Sequence, residues 1–172
     1  IHVDFGEPVR LDASPDPGDK LAISKIAFQV AVEANRVTPA TFPAVVSSAL
    51  LGAFPRALTE PEIVKEVSIM TEWATARGVR LSPDFNLNYA EEIGSLLANM
   101  MEEGIITRFE GGPETVYGIA ESQAPIASFY RNTIVHFFLT RAVAELALLA
   151  VSEKRESSES LSQFWSEVQE LR

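Results

Sequence analysis

The sequence contains no cysteine and only two histidines among its 172 residues. Without cysteine the chain can form no disulfide, and it can supply neither a thiol nucleophile nor a Cys-ligated zinc site. His2 and His136 lie too far apart in the sequence to give a metal-ligand spacing. A glycine-rich phosphate loop is also missing. The sequence therefore predicts neither a metal site nor a cofactor.

Basic residues are scarce as well. The 14 Lys and Arg side chains face 24 Asp and Glu, which gives a formal charge of −10 at pH 7. A surface this acidic repels phosphodiester backbones, so we expect no nucleic-acid partner. The same charge argues against a polybasic membrane patch. The apolar fraction of 47% is typical of a globular chain, and the sequence shows no signal peptide or lipidation motif.

Hydrophobic spacing predicts a mainly helical chain, with helices over 20–35, 43–52, 60–77 and 89–103. The helix at 60–77 has the clearest start, because Thr59 and Glu62 have the spacing of a capping box. Gly78 and Gly104 follow the last apolar positions of two helices and are predicted to end them. The helix at 20–35 has apolar side chains on two sides, so we expect burial on both.

Two short strands, 105–110 and 115–119, are predicted on either side of the turn sequence GGPE. Three helices followed by a hairpin is the order of winged-helix modules. DNA binding is disfavoured, because the helix at 89–103 offers Glu91, Glu92, Glu102 and Glu103 and no Lys or Arg. The predicted fold is therefore a helical, bundle-like region with one small hairpin, and a winged-helix-like protein-interaction module is one functional hypothesis.

The longest apolar run, Ser128 to Val151, has no Gly or Pro and predicts a single helix. A helix that is apolar nearly all round is buried in protein or in lipid. Because Arg131, Arg141 and Glu145 interrupt the run, we expect a central core helix rather than a membrane span. Arg141 and Glu145 are spaced to pair at i,i+4. After a charged, serine-rich stretch, helical spacing resumes from Leu161 to Leu171.

Three segments carry a resemblance to a known family. They are VDFGEPV at 3–9, NRVTPAT at 35–41 and FYRNTIVH at 129–136. In this order and with similar spacing they resemble segments of the glycerol-3-phosphate acyltransferases. In that family the first segment is the strand that closes the catalytic domain, and the other two follow it. Thr133 departs from the family pattern, which usually has a second Asn there.

The resemblance implies that residues 1–11 are the last strand of an upstream α/β acyltransferase domain. Residues 12–172 would be the C-terminal helical region, cut at its end, which braces that domain. The whole enzyme would transfer an acyl group from acyl-CoA or acyl carrier protein to the 1-hydroxyl of sn-glycerol 3-phosphate, the first step of phospholipid synthesis. We expect its location to be peripheral, on the cytoplasmic side of the membrane, with the membrane surface as a further partner.

The family's catalytic signature is His-x4-Asp, and neither histidine here fits it. The residue five positions after His2 is Glu7, and the residue five positions after His136 is Arg141. The resemblance therefore places the catalytic residues upstream of this segment, and none is predicted within it.

Five residues are candidates for ligand contact or for a structural role: Arg36, Tyr130, Arg131, Asn132 and His136. Arg131 could pair with Glu145 or another acid, or bind phosphate or CoA near the upstream active site. Arg36 could stabilise a helix C-terminus through the helix dipole or reach the same site. His136, four residues after Asn132, could be a hydrogen-bonded core histidine or a base.

We predict that residues 1–172 alone have no acyltransferase activity, because neither histidine has the partner that a general base needs. Incubation of the purified segment with glycerol 3-phosphate and acyl-CoA should give no acylated product. Turnover that disappears in the His136→Ala variant would contradict this prediction.

Overall fold

The computed structural model describes residues 4–10, 18–83, 85, 89–153 and 160–171. The described helices are α1 (Ala22–Val37), α2 (Phe42–Ala53), α3 (Glu60–Thr75), α4 (Tyr89–Glu102), α5 (Ala124–Asn132), α6 (Val135–Glu153) and α7 (Ser160–Glu170). The strands are β1 (Leu58–Thr59), β2 (Thr107–Phe109) and β3 (Val116–Gly118). The mainly helical fold class with one small sheet is confirmed.

Helix α2 is the centre of the core. It packs against α3, α5 and β3, and half of its 12 residues are buried. Phe42 meets Phe85 edge to face, with 5.7 Å between ring centroids. Further core side chains come from α3, α4 and the hairpin: Ile63, Val67, Ile93, Leu97, Met100, Ile105 and Ile106.

The capping box at the start of α3 forms as predicted. The Glu62 backbone N–H donates to Thr59 Oγ1 at 3.4 Å, and the Thr59 N–H donates to Glu62 Oε2 at 2.8 Å. The Thr59 N–H, followed by the guanidinium of Arg56, holds the pKa of the Glu62 carboxyl below its usual value. Gly78 and Gly104 both adopt positive φ, 71° and 70°, which only glycine adopts without strain. The sequence also predicts Asn88, with Glu91 three residues on, as the N-cap of α4, but Asn88 lies outside the described residues.

The hairpin β2–β3 pairs antiparallel in the register Arg108↔Tyr117. Strand β1, which the sequence analysis missed, pairs with the other edge of β3 and completes a sheet of order β1-β3-β2. The chain order α2, β1, α3, α4 and then the hairpin β2–β3, with β3 between β1 and β2 in the sheet, is the winged-helix arrangement. The predicted order of helices and hairpin is therefore confirmed, and β1 extends it.

The apolar run at 128–151 is not one helix. The Thr133 hydroxyl donates to the Tyr130 carbonyl at 2.7 Å, and the Thr133 and Ile134 N–H groups bond three residues back, not four. A threonine hydroxyl that takes a backbone carbonyl competes with the helical hydrogen bonds. The run therefore breaks between α5 and α6, and Ile134 at the break is fully buried.

The prediction that this run is a buried core helix is wrong. Ala147 is the one buried residue of α6 among those described, and Leu139, Leu146, Leu148 and Leu149 are each more than half exposed. In its first turns α6 contacts Trp73 of α3 through Phe138 and Arg141, and beyond them it packs mainly on α7. By length and composition its 19 residues, with a mean hydropathy of 1.5, could cross a membrane.

Two N-terminal predictions have different outcomes. Residues 4–10 have no strand partner among the described residues and lie beside α1, so their assignment as a strand of an upstream domain stays a prediction. The expected two-sided burial of α1 is wrong, because none of its residues is buried. The domain boundary between residues 11 and 12 stays a prediction, since 11–17 lie outside the described residues.

We predict that Thr59→Ala lowers the free energy of unfolding by about 1 kcal/mol, the usual cost of losing an N-cap side chain. Thr115→Ala, at an exposed position in the hairpin loop, is the matched control and should change it by less than about 0.5 kcal/mol. Chemical denaturation measures both variants. Equal effects would show that the capping box does not stabilise α3.

Arg141 and Glu145 form the predicted ion pair at 2.6 Å, but their side chains are 37% and 56% exposed. The pair is therefore not buried. Changing either residue alone to Ala should lower the free energy of unfolding by less than about 1 kcal/mol. A double-mutant cycle on thermal unfolding should give a coupling of about 0.5 kcal/mol. A coupling above about 3 kcal/mol would mean that the pair is buried in solution.

Candidate functional site

The three segments that resemble the acyltransferase family meet at the C-terminal end of α1. Residues 4–7 lie against 33–38, and His136 in the first turn of α6 contacts the same end of α1. We call residues 4–7, 33–38 and 130–136 the motif junction. Because Asn35 and His136 are 101 residues apart in the chain, their meeting is a result of the fold.

The N-terminal segment is tied to this junction by hydrogen bonds and ion pairs. The Glu7 backbone N–H donates to Glu33 Oε2 at 3.2 Å. Asp4 forms an ion pair of 3.0 Å with Arg80, which follows α3. Gly6 packs so closely on α1 that an added Cβ would lie 3.2 Å from the Glu33 carbonyl oxygen. The segment is therefore positioned by several contacts at once.

His136 links α6 to the end of α1. Its Nε2 lies 3.3 Å from the carbonyl oxygen of Asn35, in the last turn of α1, which also accepts from the Thr38 backbone N–H at 3.3 Å. With the proton on Nε2 the imidazole donates this bond. His136 is half-buried, and its predicted neighbour Asn132 accepts instead from Arg131. The histidine is hydrogen-bonded, as one of the two hypotheses expected, but to a different partner.

The two candidate arginines are both engaged at the junction. Arg36 pairs with Glu33 at 2.8 Å and lies in the last turn of α1, where a cation is favourable. Arg131 donates through Nε and Nη2 to Asn132 Oδ1 at 3.1 and 2.9 Å. The expected pair of Arg131 with Glu145 does not form, because the break after Asn132 separates their helices and Glu145 pairs within α6. A role for either arginine in ligand contact stays a prediction.

Tyr130 and Asn132 have structural roles at the end of α5. The Tyr130 side chain packs against the core, and its carbonyl accepts the Thr133 hydroxyl that breaks the helix. The Tyr130 ring also meets Phe129 edge to face at 5.8 Å. Asn132 is exposed and holds the Arg131 guanidinium. A role for either residue in ligand contact stays a prediction.

Sequence reasoning missed Glu33, Asp4 and Arg80. The i,i+3 spacing of Glu33 and Arg36 could have indicated a helical ion pair. The ion pair of Asp4 and Arg80 spans 76 residues, and no local pattern signals it.

A shallow cavity of about 340 Å³ lies at the motif junction, lined by Asp4, Ala34, Val37, Thr38 and Pro39. Its one ionisable group, the Asp4 carboxylate, pairs with Arg80, and the Thr38 hydroxyl donates to the Ala34 carbonyl. In the parts of the chain that the structure describes, no group of three His, Asp or Glu could hold a metal ion.

Comparison with known proteins agrees with the motif resemblance. The family described as the C-terminal region of glycerol-3-phosphate acyltransferase matches residues 1–172. Similar proteins named as the acyltransferase PlsB1 occur in Mycobacterium bovis and in two strains of Mycobacterium tuberculosis. Each is 39% identical over 158 residues, which is 88% of this chain and 25% of the relative. The chain thus spans about a quarter of the length of these relatives.

We predict that His136→Phe, which keeps a ring beside Phe137 but cannot donate to Asn35, lowers the free energy of unfolding by about 1 kcal/mol. Amide exchange in the last turn of α1 should become faster, because the contact with α6 is lost. Hydrogen exchange followed by NMR measures this turn directly. Unchanged exchange there would mean that the 3.3 Å contact does not hold α1.

Proposed function

Since this chain belongs to the glycerol-3-phosphate acyltransferase family as its C-terminal region, we propose that it is the C-terminal helical part of a longer enzyme. That enzyme transfers an acyl group from acyl-CoA or acyl carrier protein to the 1-hydroxyl of sn-glycerol 3-phosphate, in phospholipid synthesis. Its catalytic residues lie in the part of the enzyme that precedes this chain. The role of this chain is to brace that part.

The bracing role rests on one observation: α1 and the residue before it carry large apolar side chains that stay largely exposed among the described residues. Leu21 is 61% exposed, Ile23 is 74% exposed and Phe28 is 70% exposed, with Val30 51% and Val32 45% exposed. Helical spacing puts Leu21, Phe28 and Val32 on one side and Ile23 and Val30 on the opposite side. Burial of one such side chain contributes about 1.5–3 kcal/mol. These five side chains, which together we call the α1 face, would bind apolar surfaces of the catalytic part.

A second apolar surface supports contact of the whole enzyme with a membrane. The α6–α7 face consists of Leu139, Leu146, Leu149, Leu161 and Trp165, each more than half exposed. A groove of about 360 Å³ joins the two helices, and none of its lining residues is charged. Tryptophan is favoured at the boundary between water and hydrocarbon. We propose that this face lies on the cytoplasmic surface of the membrane.

The winged-helix arrangement favours a second candidate function, a protein-interaction module. The exposed Glu91, Glu92, Glu102 and Glu103 of α4 suit neither DNA nor RNA, so the partner would be a protein. The two functions are compatible, because a bracing region is itself an interaction module. They differ in the surface used, which is the α1 face in the first and α4 with the hairpin in the second.

We predict that Phe28→Asp in the longer enzyme lowers acyltransferase activity by about ten-fold, because a charge on the α1 face misplaces the catalytic part. Ile69→Asp on α3, where the side chain is 41% exposed, is the matched control, since it introduces the same residue into a helix at another apolar surface position. Initial rates with glycerol 3-phosphate and acyl-CoA compare the two. The variants should have similar unfolding free energies.

Two results would contradict the proposal in different ways. Absence of acyl transfer by the unaltered longer enzyme, with either donor, would contradict the reaction. Equal activity of the Phe28→Asp and Ile69→Asp variants would contradict the bracing role of the α1 face.

A further inference from the structure

Residues 4–10 run antiparallel to α1 along its C-terminal half. Asp4 lies beside Thr38, at the end of the helix. Pro8 and Val9 lie beside Phe28 and Val32, further back along α1. A chain without regular secondary structure can leave a helix in many directions, so particular contacts must fix this path.

One of these contacts is made by a carboxylate. Glu33 Oε2 accepts from the Glu7 backbone N–H at 3.2 Å, and from Arg36 Nε and Nη2 at 3.0 and 2.8 Å. The Glu33 side chain is 27% exposed, so it is partly shielded from competing water. The ion pair with Arg36 restricts the carboxylate, which then holds the backbone of the N-terminal segment at a fixed point on α1.

The close approach of Gly6 is independent evidence for the same contact. A Cβ at this position would lie 3.2 Å from the Glu33 carbonyl oxygen and 3.3 Å from its Cβ. Because the nearest atom is a backbone carbonyl and not a flexible side-chain end, a larger residue at position 6 would need the segment and α1 to separate by a few tenths of an ångström. Gly6 and Glu33 thus support the same contact between the N-terminal segment and α1. Gly6 allows the close approach, and the Glu33 carboxylate accepts the hydrogen bond from Glu7.

We propose that Glu33 is a positioning residue for acyl transfer. It fixes the direction in which the N-terminal segment leaves α1, and thereby the orientation of the catalytic part relative to the α1 face. The carboxylate does not touch substrate and acts through residues 4–10. This inference rests on the proposed function, because it assigns Glu33 to the enzyme that contains this chain.

The test uses the longer enzyme with Glu33→Ala, Glu33→Gln and Gly6→Ala. Gly52→Ala is the control for Gly6→Ala, because a Cβ at Gly52 meets nothing within 4 Å. Glu72→Ala, at an exposed position on α3, is the control for Glu33→Ala. The measurements are kcat and KM for glycerol 3-phosphate, the thermal midpoint, and amide exchange at Glu7.

We expect Glu33→Ala and Gly6→Ala to lower kcat by about ten-fold with KM changed less than about two-fold, since substrate contacts are untouched and geometry is altered. Exchange at the Glu7 amide should become at least about ten-fold faster in Glu33→Ala, because its acceptor is lost. Glu33→Gln keeps an oxygen that can accept from the Glu7 N–H, so kcat and the exchange rate of the Glu7 amide should stay close to those of the unaltered enzyme. Both controls should behave like the unaltered enzyme.

Unchanged Glu7 exchange in Glu33→Ala would overturn the inference, whatever the activity. A kcat for Glu33→Ala and Gly6→Ala equal to that of the two controls would also overturn it. If the unaltered enzyme transfers no acyl group, the proposed reaction fails, and Glu33 is then not a positioning residue for it. A loss of kcat in Glu33→Ala that Glu33→Gln restores, at an unchanged thermal midpoint, would support it.

Discussion

Burial of α2 is the constraint on which the rest of the structure depends. This short helix is covered by α3, α5 and β3, and Val45, Val46 and Leu50 are within a few per cent of complete burial. Because three elements from distant parts of the sequence share this one surface, their relative positions are fixed together. Burial of α2 therefore organises the winged-helix core, in which β3 of the hairpin and α5 both pack on this helix.

Elements that depend on local chemistry were predictable from the sequence. The capping box at Thr59 and the glycines at 78 and 104 use interactions within a few residues, and all appear as predicted. The break at Thr133 depends on which carbonyl its hydroxyl takes, and Ile134 beside it is fully buried in the core. These contacts depend on the packed fold, so the sequence analysis predicted no break. Strand β1 has two residues and exists only through its pairing with β3.

Burial of the outer helices could not be predicted, because it depends on what surrounds them. From its composition, the apolar run 128–151 was predicted to be the core helix. The shorter helix α2 occupies the centre of the core instead. The candidate site shows the same limit. Arg36, Arg131 and His136 were identified from the motifs, but their partners were not. His136 contacts the backbone carbonyl of Asn35. Because every residue has a backbone carbonyl, the sequence does not indicate which one His136 contacts; that depends on the fold.

Amide exchange along α1 tests most directly the proposal that the α1 face binds the rest of the enzyme. Exchange would be measured on this chain alone and after mixing with the separately produced remainder of the longer protein. We predict that exchange in α1 slows by at least about ten-fold on mixing, while exchange in the hairpin loop at 110–115 does not change. Unchanged exchange along α1, or slowing confined to the hairpin and α4, would contradict it.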